Sequence, residues 1–265
     1  MKYHFMGGLP RSGSTLISSI LNQNPYVHSE GMSPLSDLIM NAYRTVESSA
    51  FAEEAARTHR GLYHRQELLA GMFDTYYNNV PREVTDVIDK NRAWMLQDRW
   101  AAIQWVFGCD KIILPVRDVE DVAKSYIRIH MDNDYTQEQA EEIVFGRGYP
   151  LAAPVASVAL AKARGIGLFI HYDDLVANPK EQIDRITTYL KLPEWDYQFY
   201  DIENSLPEAD WLHLRGMLEI RPKIEKRAYE VELSDNAKFT IQMMNEVLDN
   251  PDSEHAIDFI RKNSV

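Results

Sequence analysis

The stretch Gly8-Leu9-Pro10-Arg11-Ser12-Gly13-Ser14-Thr15 follows a short apolar run at residues 3–6 and opens a second at residues 16–21. The order spelled out is strand, glycine turn, helix. Such a turn aims several backbone N–H groups and the positive end of a helix dipole at one anion. The nucleotide-binding pattern G-x-x-x-x-G-K-[ST] has the same glycine spacing and ends on the same type of hydroxyl, here Thr15, but this chain has Ser14 at the lysine position. The positive charge stands three residues upstream instead, at Arg11. In the triphosphate arrangement that lysine reaches the outer phosphates while the hydroxyl holds magnesium. Its replacement points to a different phosphate-bearing donor.

Composition narrows the class further. A chain of 265 residues, 45% of them hydrophobic, can bury a sizeable core, and one domain spanning residues 1–265 is expected. The formal charge of −12 disfavours a general nucleic-acid surface, which needs clustered lysine and arginine, but permits a local basic pocket. Cys109 is the only cysteine, so no internal disulfide can form, and it reads as a small buried hydrophobe. No run approaches the roughly 18 apolar residues of a membrane span, and the first apolar run is too short for a secretory signal. These features predict a soluble, cytoplasmic protein with neither nucleic-acid nor membrane partners. The eight histidines show no metal-ligand spacing, so no metal is expected.

Three further apolar runs, at residues 84–88, 111–116 and 166–172, read as buried strands of a parallel sheet, each followed by a helix. The fold class expected is α/β: a P-loop-type three-layer fold with a central parallel sheet flanked by helices. Helices are predicted at 36–48, 65–78, 136–145 and 151–164, forming an acceptor-side cover at roughly 33–80 and 134–164. Asn178-Pro179 reads as a helix start, with the asparagine as cap, and Ile183, Ile186 and Leu190 mark its buried face. Residues 195–209 read as a long surface loop. Ile241, Met244 and Val247 or Leu248 form another helix stripe, with a short helix near residues 256–261.

Ligands of open α/β sheets sit beyond the carboxyl ends of the strands. Arg117 stands at such an end, followed by a helix with Asp118 or Asp121 near its positive terminus, so a second anion can be met there. Lys90 stands in Asp89-Lys90-Asn91-Arg92, into which the strand at 84–88 runs. A bland reading stays open for both: an arginine paired with a neighbouring aspartate, and a solvated basic turn.

Residues 8–15 resemble the Pro-Arg-Ser-Gly-[ST]-Thr loop of sulfotransferases that use 3′-phosphoadenosine-5′-phosphosulfate (PAPS), closer to the bacterial and tyrosylprotein types than to the cytosolic type. The resemblance implies that Arg11, Ser12, Gly13, Ser14 and Thr15 hold the donor's 5′-phosphosulfate. It implies Arg117 and Ser125, eight residues apart, as ligands of its 3′-phosphate, and Tyr172, in His171-Tyr172-Asp173-Asp174, as a neighbour of the adenine. It also implies that Lys90 touches the oxygen bridging phosphorus and sulfur, where an ammonium stabilises the leaving charge. Arg11 and Lys90 then act on the reacting group, with Glu30 as first choice for the base that takes the acceptor's proton. His28 and Ser33 compete for that role, since the tyrosine-sulfating branch has Gly-Glu-Glu where this chain has Glu30-Gly31-Met32. The lysine-x-histidine motif of the cytosolic type is absent because Arg92 follows Lys90.

Arg92 is a candidate for the acceptor side, and the basic stretch Arg221-Pro222-Lys223-Ile224-Glu225-Lys226-Arg227 for a C-terminal contact to the 3′-phosphate. Trp94, Trp100 and Trp105 read as helix packing, Arg57, Arg60 and Arg65 as a solvated basic face, and Asp132, Asp134, Glu138, Glu141 and Glu142 as an exposed acidic edge. The expected activity is transfer of a sulfuryl group from PAPS to a hydroxyl of a small molecule, sugar or peptide, leaving 3′,5′-adenosine bisphosphate and requiring no metal. Two rivals share the cradle: a P-loop small-molecule kinase or phosphotransferase, which requires lysine at position 14 and metal-holding acids, and a nucleotide-binding module without catalysis.

Overall fold

The computed structural model describes residues 1–58, 64–146, 150–204, 214–217, 219–220, 224–226 and 229–263, without the side chains of residues 30, 51, 55, 56 and 97. In chain order the elements are β1 (Lys2–Met6), α1 (Ser14–Leu21), β2 (Val27–Met32), α2 (Leu35–Ser48), α3 (Ala50–Thr58), α4 (Arg65–Tyr76), β3 (Asp86–Lys90), α5 (Gln97–Phe107) and β4 (Ile112–Val116). They continue with α6 (Val119–Met131), α7 (Gln137–Phe145), α8 (Ala152–Ala163), β5 (Leu168–His171), α9 (Tyr172–Ala177), α10 (Pro179–Leu190), α11 (Asp235–Asp249) and α12 (Glu254–Asn263).

Among the described residues, five strands form one parallel sheet in the order β2-β3-β1-β4-β5. Parallel strands are covered on both faces, which is why β3 and β4 are buried at every position. Alternation sorts the side chains. Phe5, Val87, Ile112 and Leu114 pack with α2, α4 and α5 on one face, whereas Met6, Ile88, Ile113 and Ile170 pack with α1 and α10 on the other. A third cluster joins Leu9, Val116 and α6 to α7, α8, α11 and α12.

From β1 the chain winds to β2 and β3 on one side, then crosses back to β4 and β5 on the other. The direction of winding therefore reverses between β1 and β4. In an open α/β sheet that switch point leaves a crevice at the carboxyl ends of the strands, and the glycine turn and Arg117 both project from it.

The structure departs from the sequence reading in several places. β2, which lies outside the apolar runs read as strands, is an edge strand because its backbone completes the ladder of β3. The run at 84–88 pairs over 86–90 instead, so Lys90 is the last residue of a strand. Tyr172 does not end β5 but opens α9. Asn178 occupies the cap position of α10 without a side-chain cap bond. Within 193–204, Tyr197 and Ile202 are buried against α1 and α10, so this segment is partly core. Trp94 and Trp100 are fully buried, as expected of packing residues. Among the described residues, no helix is long and apolar enough to cross a membrane.

Candidate active site

The glycine turn owes its shape to contacts that only particular residues permit. Gly8 has φ 91°, and a Cβ there would lie 2.2 Å from the Pro115 carbonyl oxygen. The N–H groups of Gly7 and Leu9 donate to Ile113 and Pro115 at 2.8 Å each, stapling the turn to the end of β4. Ser12, fully buried, donates its hydroxyl to the carbonyls of Leu9 and Pro115. Its hydroxyl shapes the turn. Gly13, at φ 88°, precedes α1 and lies so close to Leu175 and Tyr172 that a Cβ would stand 2.9 and 3.2 Å from their side-chain carbons. The first turn of α1, with Ser14 and Thr15, contains no acidic residue to offset its dipole.

Arg11 adopts φ 56°, a left-handed conformation unusual for a non-glycine residue, which turns its side chain across the crevice. Its Nε donates to Ser125 Oγ at 3.2 Å, and Nη1 donates to the Met217 carbonyl. Burial, the largest influence, pushes the guanidinium's pKa below its ordinary value, while Tyr229 and Tyr126 pull it back up. Arg117 lies alongside: Nη1 donates to the Arg11 carbonyl at 3.3 Å, Nη2 reaches Asp121 at 3.4 Å, and the guanidinium stacks on the Tyr172 ring, 4.3 Å from its centre. Asp118 caps α6 by accepting from the Asp121 N–H at 3.0 Å, fixing the turn that bears Arg117. Residues 11, 117, 125 and 172, far apart in sequence, thus form one cluster. Arg117 and Ser125 are buried, but the bland reading of Arg117 is partly right as well, since Asp121 does pair with it.

Lys90 stands at the other side of the turn. Met6 is its neighbour in the β1–β3 ladder, and Asn91 N–H donates to the Met6 carbonyl at 2.9 Å, so the two connections leave the sheet together. The side chain is only 4% exposed. Burial first, and Arg92 second, push its pKa down to about 7.

Of the three groups considered for a base, the backbone sets His28 apart from Lys90. His28 pairs with Val87, three residues before Lys90 and roughly 10 Å down the strand. Its ring meets Tyr77 at 5.8 Å beside a cavity of about 440 Å³ also lined by Asn22 and Val84. Ser33 donates its hydroxyl to Asp89. Glu30 lies on β2 immediately before Gly31 and Met32, and Met32 pairs with Lys90; its side chain lies outside the described residues. The same holds for Arg221, Lys223 and Arg227, and for Arg60 in the basic face. Lys226 is described, bound to Asp173 at 2.7 Å and lying 3.8 Å from Asp121.

Sequence reasoning missed three features here: the buried carboxylate of Asp89, and the contacts of Met217 and Tyr229 with Arg11. No local pattern marks them, because each partner arrives from a distant part of the chain. Among the described residues, no group of three or more His, Cys, Asp or Glu side chains could hold a metal ion.

The family model described as "Sulfotransferase family" matches residues 4–197. Two solved structures share the fold. The sulfotransferase domain from the Synechococcus PCC 7002 olefin synthase is 18% identical, with a TM-score of 0.51 over 92% of this chain and 94% of that one. The sulfotransferase domain from the curacin biosynthetic pathway is 14% identical, with a TM-score of 0.51 over 92% and 97%. A search of curated proteins gives no significant sequence match.

Proposed function

The chain belongs to the sulfotransferase family and is a sulfotransferase; from that premise we propose that PAPS is its donor, a hydroxyl its acceptor, and the crevice between β1 and β4 its active site. The observation that carries this reading is the convergence of two guanidinium groups, the half-buried Arg11 and the buried Arg117, with Ser125 and Tyr172 at the mouth of the glycine turn. In a protein of net charge −12, such a concentration of cations fits a ligand with anions at both ends.

When bound, PAPS supplies a sulfuryl group activated as a phosphosulfate anhydride. The amides of residues 12–15 and Arg11 hold its 5′ end by hydrogen bonds to its oxygens. Arg117 and Ser125 hold the 3′-phosphate, and the Tyr172 ring lies beside the adenine. Lys90 presents an ammonium to the bridging oxygen and offsets the negative charge that collects there. Because its folded pKa is near neutrality, the lysine keeps its proton best once an anion lies beside it. Glu30 accepts the proton of the acceptor hydroxyl. Charge is met by arginine, lysine and backbone amides, without a divalent ion.

Titration of the purified protein with adenosine 3′,5′-bisphosphate, AMP and ATP, each with and without magnesium, tests the assignment. Tight bisphosphate binding that is indifferent to magnesium is expected. Arg117→Ala should weaken bisphosphate binding by roughly 10- to 100-fold while changing AMP affinity little, because a charge-assisted contact to the 3′-phosphate is lost. Preference for magnesium-ATP would favour a kinase and overturn the reading.

A further inference from the structure

One buried ionisable group has no part in the mechanism above. Asp89, the residue before Lys90, is fully buried on the opposite face of β3. Its carboxylate accepts hydrogen bonds from Ser33 Oγ at 2.6 Å, Tyr77 OH at 2.7 Å and Trp94 Nε1 at 2.9 Å. The donors come from three connections: the one between β2 and α2, the end of α4, and the turn between β3 and α5. A carboxylate sealed from water is costly unless such donors surround it, so the four groups hold one another in place.

Ser33 does more. It meets three consecutive residues of the β3 end: its hydroxyl donates to Asp89, its N–H donates to the Lys90 carbonyl at 3.2 Å, and its carbonyl accepts from Asn91 Nδ2 at 3.0 Å. The hydroxyl oxygen also accepts from the N–H of Leu35 at 3.2 Å, which ties in the start of α2. Just before Ser33, β2 contains an extra residue. Ser29 pairs with Ile88 and Met32 with Lys90, so Glu30 and Gly31 together stand opposite Asp89. A bulge of this kind re-aims the local chain and needs fixing from outside the ladder it interrupts.

We propose that Asp89 and Ser33 are positioning residues: they clamp the bulged end of β2, which carries Glu30, against the end of β3, which carries Lys90. The clamp sets the spacing between the group that takes the acceptor's proton and the ammonium that faces the leaving oxygen. In-line transfer depends on that spacing, since a misplacement of about 1 Å can cost roughly 100-fold in rate. This inference rests on the roles given above to Lys90 and Glu30.

A double-mutant cycle on affinity for adenosine 3′,5′-bisphosphate tests it without knowledge of the acceptor. Lys90→Ala should weaken binding about tenfold, by loss of a charged contact to the 5′-phosphate. Ser33→Ala should weaken it about fivefold when Lys90 is present and not at all in the Lys90→Ala background, because Ser33 acts through the lysine. Ser33→Thr, which keeps the hydroxyl, should restore affinity. Asp89→Asn, which keeps the shape but presents a donor where the carboxylate accepts, should reproduce Ser33→Ala. An equal loss from Ser33→Ala in both backgrounds would reveal general structural damage and overturn the clamp, as would no loss in the presence of Lys90. Unchanged affinity in Lys90→Ala would instead overturn the role of the lysine itself, and the clamp with it.

Discussion

Lys90 is a cation held out of water, 4% exposed, with its pKa pushed from 10.5 to about 7 chiefly by burial. Between about pH 7 and 10.5 the unfolded chain holds this proton and the folded chain does not, so the group makes stability rise with pH across that window. Below it the amine is charged in both states and the cost of burial is felt in full. Lys90→Met should therefore raise the Tm of the nucleotide-free protein at pH 6 by roughly 2–4 °C or more, and by less at pH 10, in thermal denaturation followed by circular dichroism. An equal shift at both pH values would mean that the lysine is not held charged at a cost. A functional origin for that cost suits a site that meets an anion. Arg11, Lys90 and Arg117 were singled out in the sequence by residue type and position at or just after a strand end, and Ser125 by the family resemblance alone. Asp89 was not, because its significance lies in Ser33 and Tyr77, 56 and 12 residues away, as much as in Trp94 close by.

Among the elements, the glycine turn is specified most tightly. Gly8→Ala would drive a Cβ into the backbone carbonyl of Pro115, with no flexible side chain to yield, and would also impose φ 91° on a residue with a Cβ. A loss of at least roughly 2 kcal/mol in urea unfolding is expected, together with loss of nucleotide binding; near-wild-type values for both would show that the turn is not held as described. β3, with only Val87 and Ile88 apolar between Asp86 and Lys90, was placed two residues early, whereas β4 was readable because burial on both faces leaves a continuous apolar run. β2 was not. Its segment Val27-His28-Ser29-Glu30-Gly31-Met32 has neither that run nor clean alternation, and its strand character comes from pairing with β3, a tertiary effect. The boundary between β5 and α9 was misread for a related reason: the apolar run passes into the helix, and the tyrosine at the junction stacks on Arg117.

Across the whole molecule, the order β2-β3-β1-β4-β5 places the reversal of winding between β1 and β4, and the crevice there collects residues from the amino-terminal turn, α6, α9 and the segment around Met217 and Tyr229. The helical cover expected at roughly 33–80 corresponds to α2, α3 and α4, and that at 134–164 to α7 and α8, which pack on α6 and α11. A negative protein with a local cationic crevice should draw polyanionic nucleotides in while repelling general polyanions. The most direct measurement is transfer of labelled sulfate from PAPS to a panel of alcohols, phenols, sugars and tyrosyl peptides in the presence of a divalent-metal chelator. Labelled sulfate ester should form together with adenosine 3′,5′-bisphosphate at a rate unaffected by the chelator, and Arg11→Ala should abolish it. Failure to transfer sulfate to any acceptor class, or transfer that stops when metal is removed, would contradict a metal-free cradle for PAPS.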